Sequence, residues 1–409
     1  MKTFNTLWVI SFRDLLRNKR RSFFSLFAVA LGLALLIALY GLVAGMIDDS
    51  VQNNIRLRTG HVQIRSTSYQ EEKLSLQSKD LIQNTSIITD RLGAMSEVKV
   101  AAPVLWFGGI LNTINDSVNL QFFGIDVNSA LYSPIREGLV TGEFLTQEDR
   151  DGILIGKRLA VSLGTGIGQK VNLTVINSDG NPVEGIFTVK GLFSTGIPSY
   201  DESSAFLSIS KAQAFTHSTS GSASAIVILL NHQEEAEKVS SALQSPGIVT
   251  LTWRDMNKLL VQFAESGMGV YVILDAIVML IVGVIIANTL LMAVFERIRE
   301  MGILTALGMK GNQILWMILF EASILGLAGV ISGIILGCGV IAYLSEVGIY
   351  IGDVGKSSGS IALGTTMYAH FVPNTILLLS LSTFTIILLA SLYPAAFAAR
   401  LEPVEALHA

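Results

Sequence analysis

From Phe23 to Ile47 the chain runs for 25 residues without one charged side chain. As a helix this stretch is roughly 37 Å long, enough to cross a hydrocarbon core of about 30 Å with some tilt. Three further apolar segments pass the same test: Val270 to Phe295, interrupted only by Asp275; Ile314 to Leu344, with Glu321 near its start; and Thr375 to Ala399. Only 15% of the residues are charged, against roughly 25% in an average soluble domain, and the mean hydropathy is +0.56. A purely soluble enzyme is excluded. The fold class expected is an α-helical membrane protein with four transmembrane helices. A net charge of −4 offers no broad basic surface, so nucleic acid is not an expected partner. Cys338 is the one cysteine and forms no internal disulfide.

The spans are unevenly placed. The expected layout is a cytoplasmic amphipathic segment over 1–22, spans over 23–47, 270–295, 314–344 and 375–399, an outer domain with its stalks over 48–269, a cytoplasmic loop over 296–313, an extracytoplasmic loop over 345–374 and a tail over 400–409. Lys2, Arg13, Arg17, Lys19, Arg20 and Arg21 precede the first span, and Arg297, Arg299 and Lys310 sit between the second and third. The loop between the third and fourth holds Lys356 beside Glu346 and Asp353. The positive-inside rule then puts both termini and the 296–313 loop in the cytoplasm and the large domain outside. The first apolar run is too long for a cleaved signal peptide and reads as an uncleaved anchor. Phe4, Leu7, Trp8, Phe12, Leu15 and Leu16 recur at helical spacing, as in a helix lying on the membrane surface.

The outer domain reads as α+β. His61–Arg65 alternates like a strand, 86–96 as a helix and Val98–Trp106 as a strand; Ser224–Leu230, a helix over 232–243 capped by Asn231, and Gly247–Trp253 repeat the pattern. Two β-α-β units at the two ends predict a split α+β domain. Between them Val171–Ile176 and Gly185–Phe193 flank an Asp179-Gly180 turn, read as a β-rich subdomain inserted into the first. Thr252 and Asp255 have capping-box spacing and open a helix expected to run unbroken into the second span. Asp48 to Arg58 extends the first span. The two extensions form stalks that carry motion or serve as simple tethers.

Several motifs fail on context. Gly352-Asp-Val-Gly355-Lys356-Ser357 has two residues between its glycines where a phosphate-binding loop needs four, and Gly164-Thr-Gly166-Ile-Gly168 lacks a dinucleotide-binding setting. Leu336-Gly337-Cys338 lies deep in a span, where small residues favour close helix packing. The five histidines show no ligand spacing, so no metal site is expected, and no catalytic site is found.

The informative stretch is Phe295-Glu-Arg-Ile-Arg-Glu-Met-Gly-Ile-Leu-Thr-Ala-Leu-Gly-Met-Lys310, a short helix with charges at one end and apolar anchors Ile303, Leu304 and Leu307 beyond. Such a segment suits a groove on a soluble partner. With Tyr393-Pro-Ala-Ala-Phe-Ala-Ala-Arg-Leu-Glu-Pro-Val-Glu-Ala-Leu407 it resembles the permeases of the MacB, FtsX and LolC/LolE superfamily, the type VII ABC transporters. The family pattern falls on Glu296, Arg299, Glu300, Gly302, Leu307 and Gly308. The resemblance covers the whole chain and implies a porter-like outer domain between the first and second spans. It also implies that Glu296, Arg297, Arg299, Glu300, Gly302, Leu304, Leu307 and Gly308 couple to a separate cytoplasmic ATPase dimer. ATP and Mg would bind that partner, the chain itself holding no cofactor and catalysing nothing. A second permease copy or a paralogue completes the assembly, and ATP-driven motion passes through the stalks by mechanotransmission.

Three branches compete. Val189-Lys-Gly-Leu-Phe-Ser-Thr-Gly-Ile-Pro-Ser-Tyr-Asp201 and Thr59-Gly-His-Val-Gln-Ile64 look like lipoprotein-releasing permeases of the bacterial inner membrane, which pass lipoproteins to a periplasmic carrier. The loop over 296–310 looks closer to MacB-like exporters working with an adaptor. An FtsX-like regulator of a cell-wall hydrolase is the third, and the size of the insert argues against it. On the lipoprotein reading, Leu42, Met46, Val51, Ile55, Leu259, Phe263, Met268 and Tyr271 line a lipid-accessible substrate cavity; their spacing equally suits dimer or stalk packing. Asp275 implies a function, a polar partner or snorkelling, and Glu321 supports the loop.

Overall fold

The computed structural model describes residues 13, 17, 19–114, 116–352 and 362–400 and, among these, the side chains of all but Glu71 and 263–270. The expected amphipathic segment over 4–16, except Arg13, and the tail beyond Arg400 lie outside the described residues. The chain forms two compact units. One comprises Met1–Met46, Ala264–Ile349 and Met367–Ala409, and the other Ile47–Phe263 and Tyr350–Thr366.

Four helices are long and apolar enough to cross a membrane: Lys19–Thr59, Tyr271–Glu296, Gly311–Glu346 and Pro373–Ala399. In the first unit their inner faces repeat every three or four residues. Val29, Leu33, Leu36 and Ile37 meet Met279, Val282, Ile286 and Leu290, with Ala322, Leu325, Leu379 and Ile387 completing the core. Glycines set the closeness of the first and third helices. A Cβ on Gly329 would come within 2.8 Å of Val29, one on Gly333 within 3.0 Å of Leu33, and one on Gly337 within 2.9 Å of Ile37. Helices in lipid gain no hydrophobic drive from touching each other, so close backbone approach supplies the attraction through dispersion. Gly41 and Gly45 do a different job. The His370 N–H donates to the Gly41 carbonyl at 2.9 Å, and a Cβ on Gly45 would collide with the Tyr368 carbonyl.

The second unit is built on one sheet of strands β1 (Val62–Ser66), β2 (Val98–Asn112), β3 (Ser117–Ile125), β4 (Leu139–Gly142), β5 (Gly152–Gly156), β6 (Lys170–Ile176), β7 (Pro182–Phe193), β8 (Ser204–Ser208), β9 (Ala225–Leu230) and β10 (Ile248–Thr252). One part has the order β10-β1-β9-β2, antiparallel throughout. Each β-α-β pair, β1 with β2 and β9 with β10, is therefore parallel with a strand of the other pair between its members, the split arrangement expected. Leu92 of helix Thr85–Gly93 and Val239 of helix Ala236–Ala242 cover this part, packing on Val62, Ile64, Ile226 and Ile228.

The expected inserted subdomain is not a detached sheet. β2 is 15 residues long and belongs to both parts: Val98–Val104 pairs with β9, while its far end pairs with β3 on one edge and β6 on the other. The pairing continues β3-β8-β5-β7-β6 and returns to β2, closing a six-stranded ring. Phe107, Phe122, Val171, Leu173, Phe187 and Leu207 fill it. Closure removes the exposed edges that an open insert would carry.

Two local expectations are corrected. Asn231 does not cap the following helix; its side chain donates to the Ser96 carbonyl, and the segment splits into a tight turn Gln233–Glu235 and helix Ala236–Ala242. The capping box forms, Thr252 Oγ1 accepting from the Asp255 N–H and Asp255 Oδ2 from the Thr252 N–H. The helix it opens ends at Met256; Asn257 leaves helical geometry at φ −109°, ψ 30°, and the long helix begins at Lys258. The first stalk also changes character, from α-helix through Asn54 to a wider turn over Ile55–Thr59, where the Gly60 N–H reaches back to the Ile55 carbonyl.

Candidate functional site

In the first unit the Gly311–Glu346 helix follows a short helix, Ile298–Ala306, which Arg297 separates from the one ending at Glu296. Its end is fixed by a glycine. Gly308 sits at φ +98°; its N–H donates to the Thr305 carbonyl and the Met309 N–H to the Leu304 carbonyl, both at 3.0 Å. This is a Schellman cap with glycine at the left-handed position. The chain then turns into the third span, where Gln313 Oε1 accepts the Lys310 N–H at 2.9 Å.

The short helix has two faces. Met301 and Gly302 are buried, Met301 packing with Val294, Ile314, Met317, Ile318, Ala395 and Ala398. Leu304 is half-buried, while Ile303 is 47% and Leu307 81% exposed. Exposed large apolar side chains on a helix seated by its other face form an anchor surface.

A charged network pins the helix at its start. Arg21 reaches Glu296 at 2.8 Å and Glu321 at 3.7 Å. Arg297 lies 3.1 Å from Glu300 and 3.8 Å from Glu321, and Arg17 reaches Glu300 at 2.6 Å. Glu321 is 3% exposed and Arg297 9%, so their pairing offsets a burial that neither charge would tolerate alone. The hydrogen bond from Arg17, opposed by partial burial and reinforced by Arg297, holds the Glu300 carboxyl below its ordinary range. Arg299 is exposed. Arg17 and Arg21, which read in the sequence as topology signals, thus also pair with the loop; their spacing of four residues before a span is the signal that places them on one helix face.

The residues expected to line a substrate cavity divide between the units. Val51 and Ile55 are buried against Leu260 in the stalks of the second unit, and Leu259 is 71% exposed. In the first, Leu42 packs against the helix core, Met46 is half-buried, and the Tyr271 ring lies 4.9 Å from that of Tyr40. The side chains of Phe263 and Met268 lie outside the described set. Asp275 is half-buried, and its Oδ1 has no hydrogen-bond partner among the described residues. Among those residues no cluster of three or more His, Cys, Asp or Glu is placed to hold a metal.

The family model for the MacB-like periplasmic core domain matches residues 22–245, and that for the FtsX-like permease C-terminal region matches 272–403. The chain belongs to the MacB/FtsX/LolC superfamily of ABC transporter permeases. Within this superfamily it is similar to the lipoprotein-releasing system transmembrane protein LolC of Neisseria meningitidis, 24% identical over 66% of each chain. An uncharacterized ABC transporter permease of Methanocaldococcus jannaschii is 22% identical over 97% of this chain and 96% of its own. The macrolide export ATP-binding/permease protein MacB of Shewanella oneidensis is 36% identical over 32% of this chain and 18% of its own. The chain thus spans just under two thirds of the LolC relative and a small part of MacB.

Proposed function

We propose that this chain is the membrane subunit of an ATP-driven transporter of the bacterial inner membrane, with its termini and the 296–313 loop cytoplasmic and its large domain periplasmic. The observation that carries the reading is the short helix with Ile303 and Leu307 turned outward and Leu304 half-buried beside them, its base held by Arg21, Arg297 and Glu321 and its end set by Gly308. A rigid apolar knob on a charged base is what a cytoplasmic ATPase dimer needs to push on. ATP and Mg bind that partner. Its strokes pass through two stalks into the outer domain, which a second copy or a paralogue completes. The work done is release of lipoproteins from the outer leaflet to a periplasmic carrier, a reading supported by the similarity to LolC. MacB-like export is the second reading, favoured by the 36% identity to MacB over 133 residues.

Photo-crosslinking in living cells from position 263, followed by mass spectrometry, tests the choice. Capture of lipidated proteins, lost when their acyl chains are removed, supports release; capture of an adaptor or of small molecules, with no lipoprotein, replaces it with export.

A further inference from the structure

Tyr40, Tyr271 and Asp275 come together in the first unit. Tyr271 opens the second span, Tyr271–Glu296. Asp275 follows it by four residues, so the two share one face of that helix, about 6 Å apart along its axis. Tyr40 belongs to the first span; its ring centre lies 4.9 Å from that of Tyr271, the two planes inclined at 46°. The Asp275 carboxylate is within electrostatic reach of the Tyr40 hydroxyl. All three side chains are half-buried.

Tyrosines at the end of a span anchor it at the headgroup level and need no ligand to do so. The carboxylate is another matter. Its Oδ1 is buried without a hydrogen-bond partner among the described residues. The other intramembrane carboxylate, Glu321, has Arg21 and Arg297 within 4 Å, and among the described residues no arginine or lysine does this for Asp275. An ionised carboxyl inside a span is costly until a cation meets it. With Oδ1 enclosed, the cation has to come to the other oxygen, from the side that the neighbours leave open. Val272 and Leu274, on either flank of Asp275, are 63% and 39% exposed and offer an apolar border for hydrocarbon chains. Two aromatic rings beside a carboxylate suit an ammonium, which is drawn to the ring faces as well as to the charge. A primary ammonium suits it better than a quaternary one, because only N–H groups donate to a carboxylate.

We infer that Tyr40, Tyr271 and Asp275 form a site for the primary ammonium headgroup of a membrane phospholipid, its acyl chains lying against the second span. The transporter reading enters only in naming the leaflet: on the topology proposed above, this end of the second span is the outer one. Binding is measured without ATP, the ATPase or transport, so failure of the site and failure of that reading are separable.

The test uses the full chain, purified and delipidated in a non-ionic detergent. Native mass spectrometry compares retention of phosphatidylethanolamine, phosphatidylcholine and phosphatidylglycerol with matched acyl chains, and calorimetry with ethanolamine probes a soluble amine. Asp275→Asn keeps the shape and removes the charge, Tyr40→Leu removes one ring, and Glu346→Gln, on the last residue of the third-span helix, is the control. Melting temperatures of the lipid-free proteins check that each variant is folded. The expected result is phosphatidylethanolamine held roughly tenfold or more over the other two lipids, a preference lost in Asp275→Asn, reduced in Tyr40→Leu and kept in Glu346→Gln. Equal retention of the three lipids by the unaltered chain overturns the assignment whatever the variants do, as does a preference that Asp275→Asn leaves intact. Binding of ethanolamine with no preference among the lipids overturns the lipid source. A dimer that depends on Asp275 and shows no lipid preference also overturns it, and gives the carboxylate to a second copy of the chain.

Discussion

At Gly308 a φ of +98° and two 3.0 Å hydrogen bonds end the short helix between the second and third spans. A Cβ there meets no atom within 4 Å, so the constraint is the backbone conformation and not space. Alanine at a left-handed position costs about 1–2 kcal/mol. Proline, fixed near φ −65° and without an N–H, removes the bond to Thr305 as well. Gly308→Pro is expected to abolish ATP-dependent transport while membrane insertion stays intact; normal coupling of hydrolysis to transport in that variant would refute the role given to this helix. Leu307→Asp, by contrast, leaves the backbone alone and places a charge on the anchor. The expected result is loss of the ATPase on co-purification with no change in the permease's own thermal stability. His61 supplies a pH effect. Burial, opposed by nearby Glu234, holds its imidazole below the ordinary value, and its Nδ1 accepts the Leu230 N–H at 2.9 Å. A histidine with a depressed folded pKa is protonated first in the unfolded chain. Its contribution to stability is therefore complete above about pH 6.5 and is lost as pH falls through the folded value. The melting temperature of the outer unit should drop on acidification, and His61→Gln, which keeps an acceptor but does not titrate, should flatten that slope.

At the scale of elements, the glycine ladder on the third helix is the most exposed to test. Gly333→Val places a branched side chain where Leu33 Cβ and the Ala30 carbonyl already stand at 3.0 and 3.1 Å. Overpacking of this kind costs about 1–3 kcal/mol, read as a lower melting temperature in detergent; an unchanged value would mean the helices do not pack there as described. The spans, the strands β1 and β9 and the capping box at Thr252 were legible because each rests on residues near one another in sequence. The ring was not. β2–β6 and β3–β8 join positions some 60 to 80 residues apart (Asn112 with Asn172, Gln121 with Ser204), and alternation shows which face a strand buries without naming its partner. The break at Asn257 was hidden by a strong cap just before it. Asn231, a good capping residue by type, was drawn away by the Ser96 carbonyl, a contact 135 residues distant. The loop helix was readable from its small and apolar residues. Its pinning by Arg21 was not, because that pair spans 275 positions.

For the whole molecule, the proposed mechanism requires the two stalks to move relative to each other during the ATP cycle. They meet at a buried pair: Asn54 Nδ2 donates to Asn257 Oδ1 at 2.9 Å, and Asn257 Nδ2 to the Trp253 carbonyl at 2.8 Å. Amides buried together must be satisfied in each state the protein visits, since an unmade bond costs about 1–3 kcal/mol. A pair joined by one hydrogen bond can part and find water at modest cost, whereas the apolar contact of Val51, Ile55 and Leu260 beside it favours the closed arrangement. Replacing both amides with thiols, Asn54→Cys and Asn257→Cys in a Cys338→Ala background, allows a short bifunctional thiol-reactive reagent to tie the stalks. If motion passes through them, the linked protein retains its ATPase partner and stops releasing substrate, and a reductant-cleavable linker restores release on reduction. Undiminished release from the fully linked protein would show that the stalks are tethers, and the stroke would then have to reach the substrate by another path.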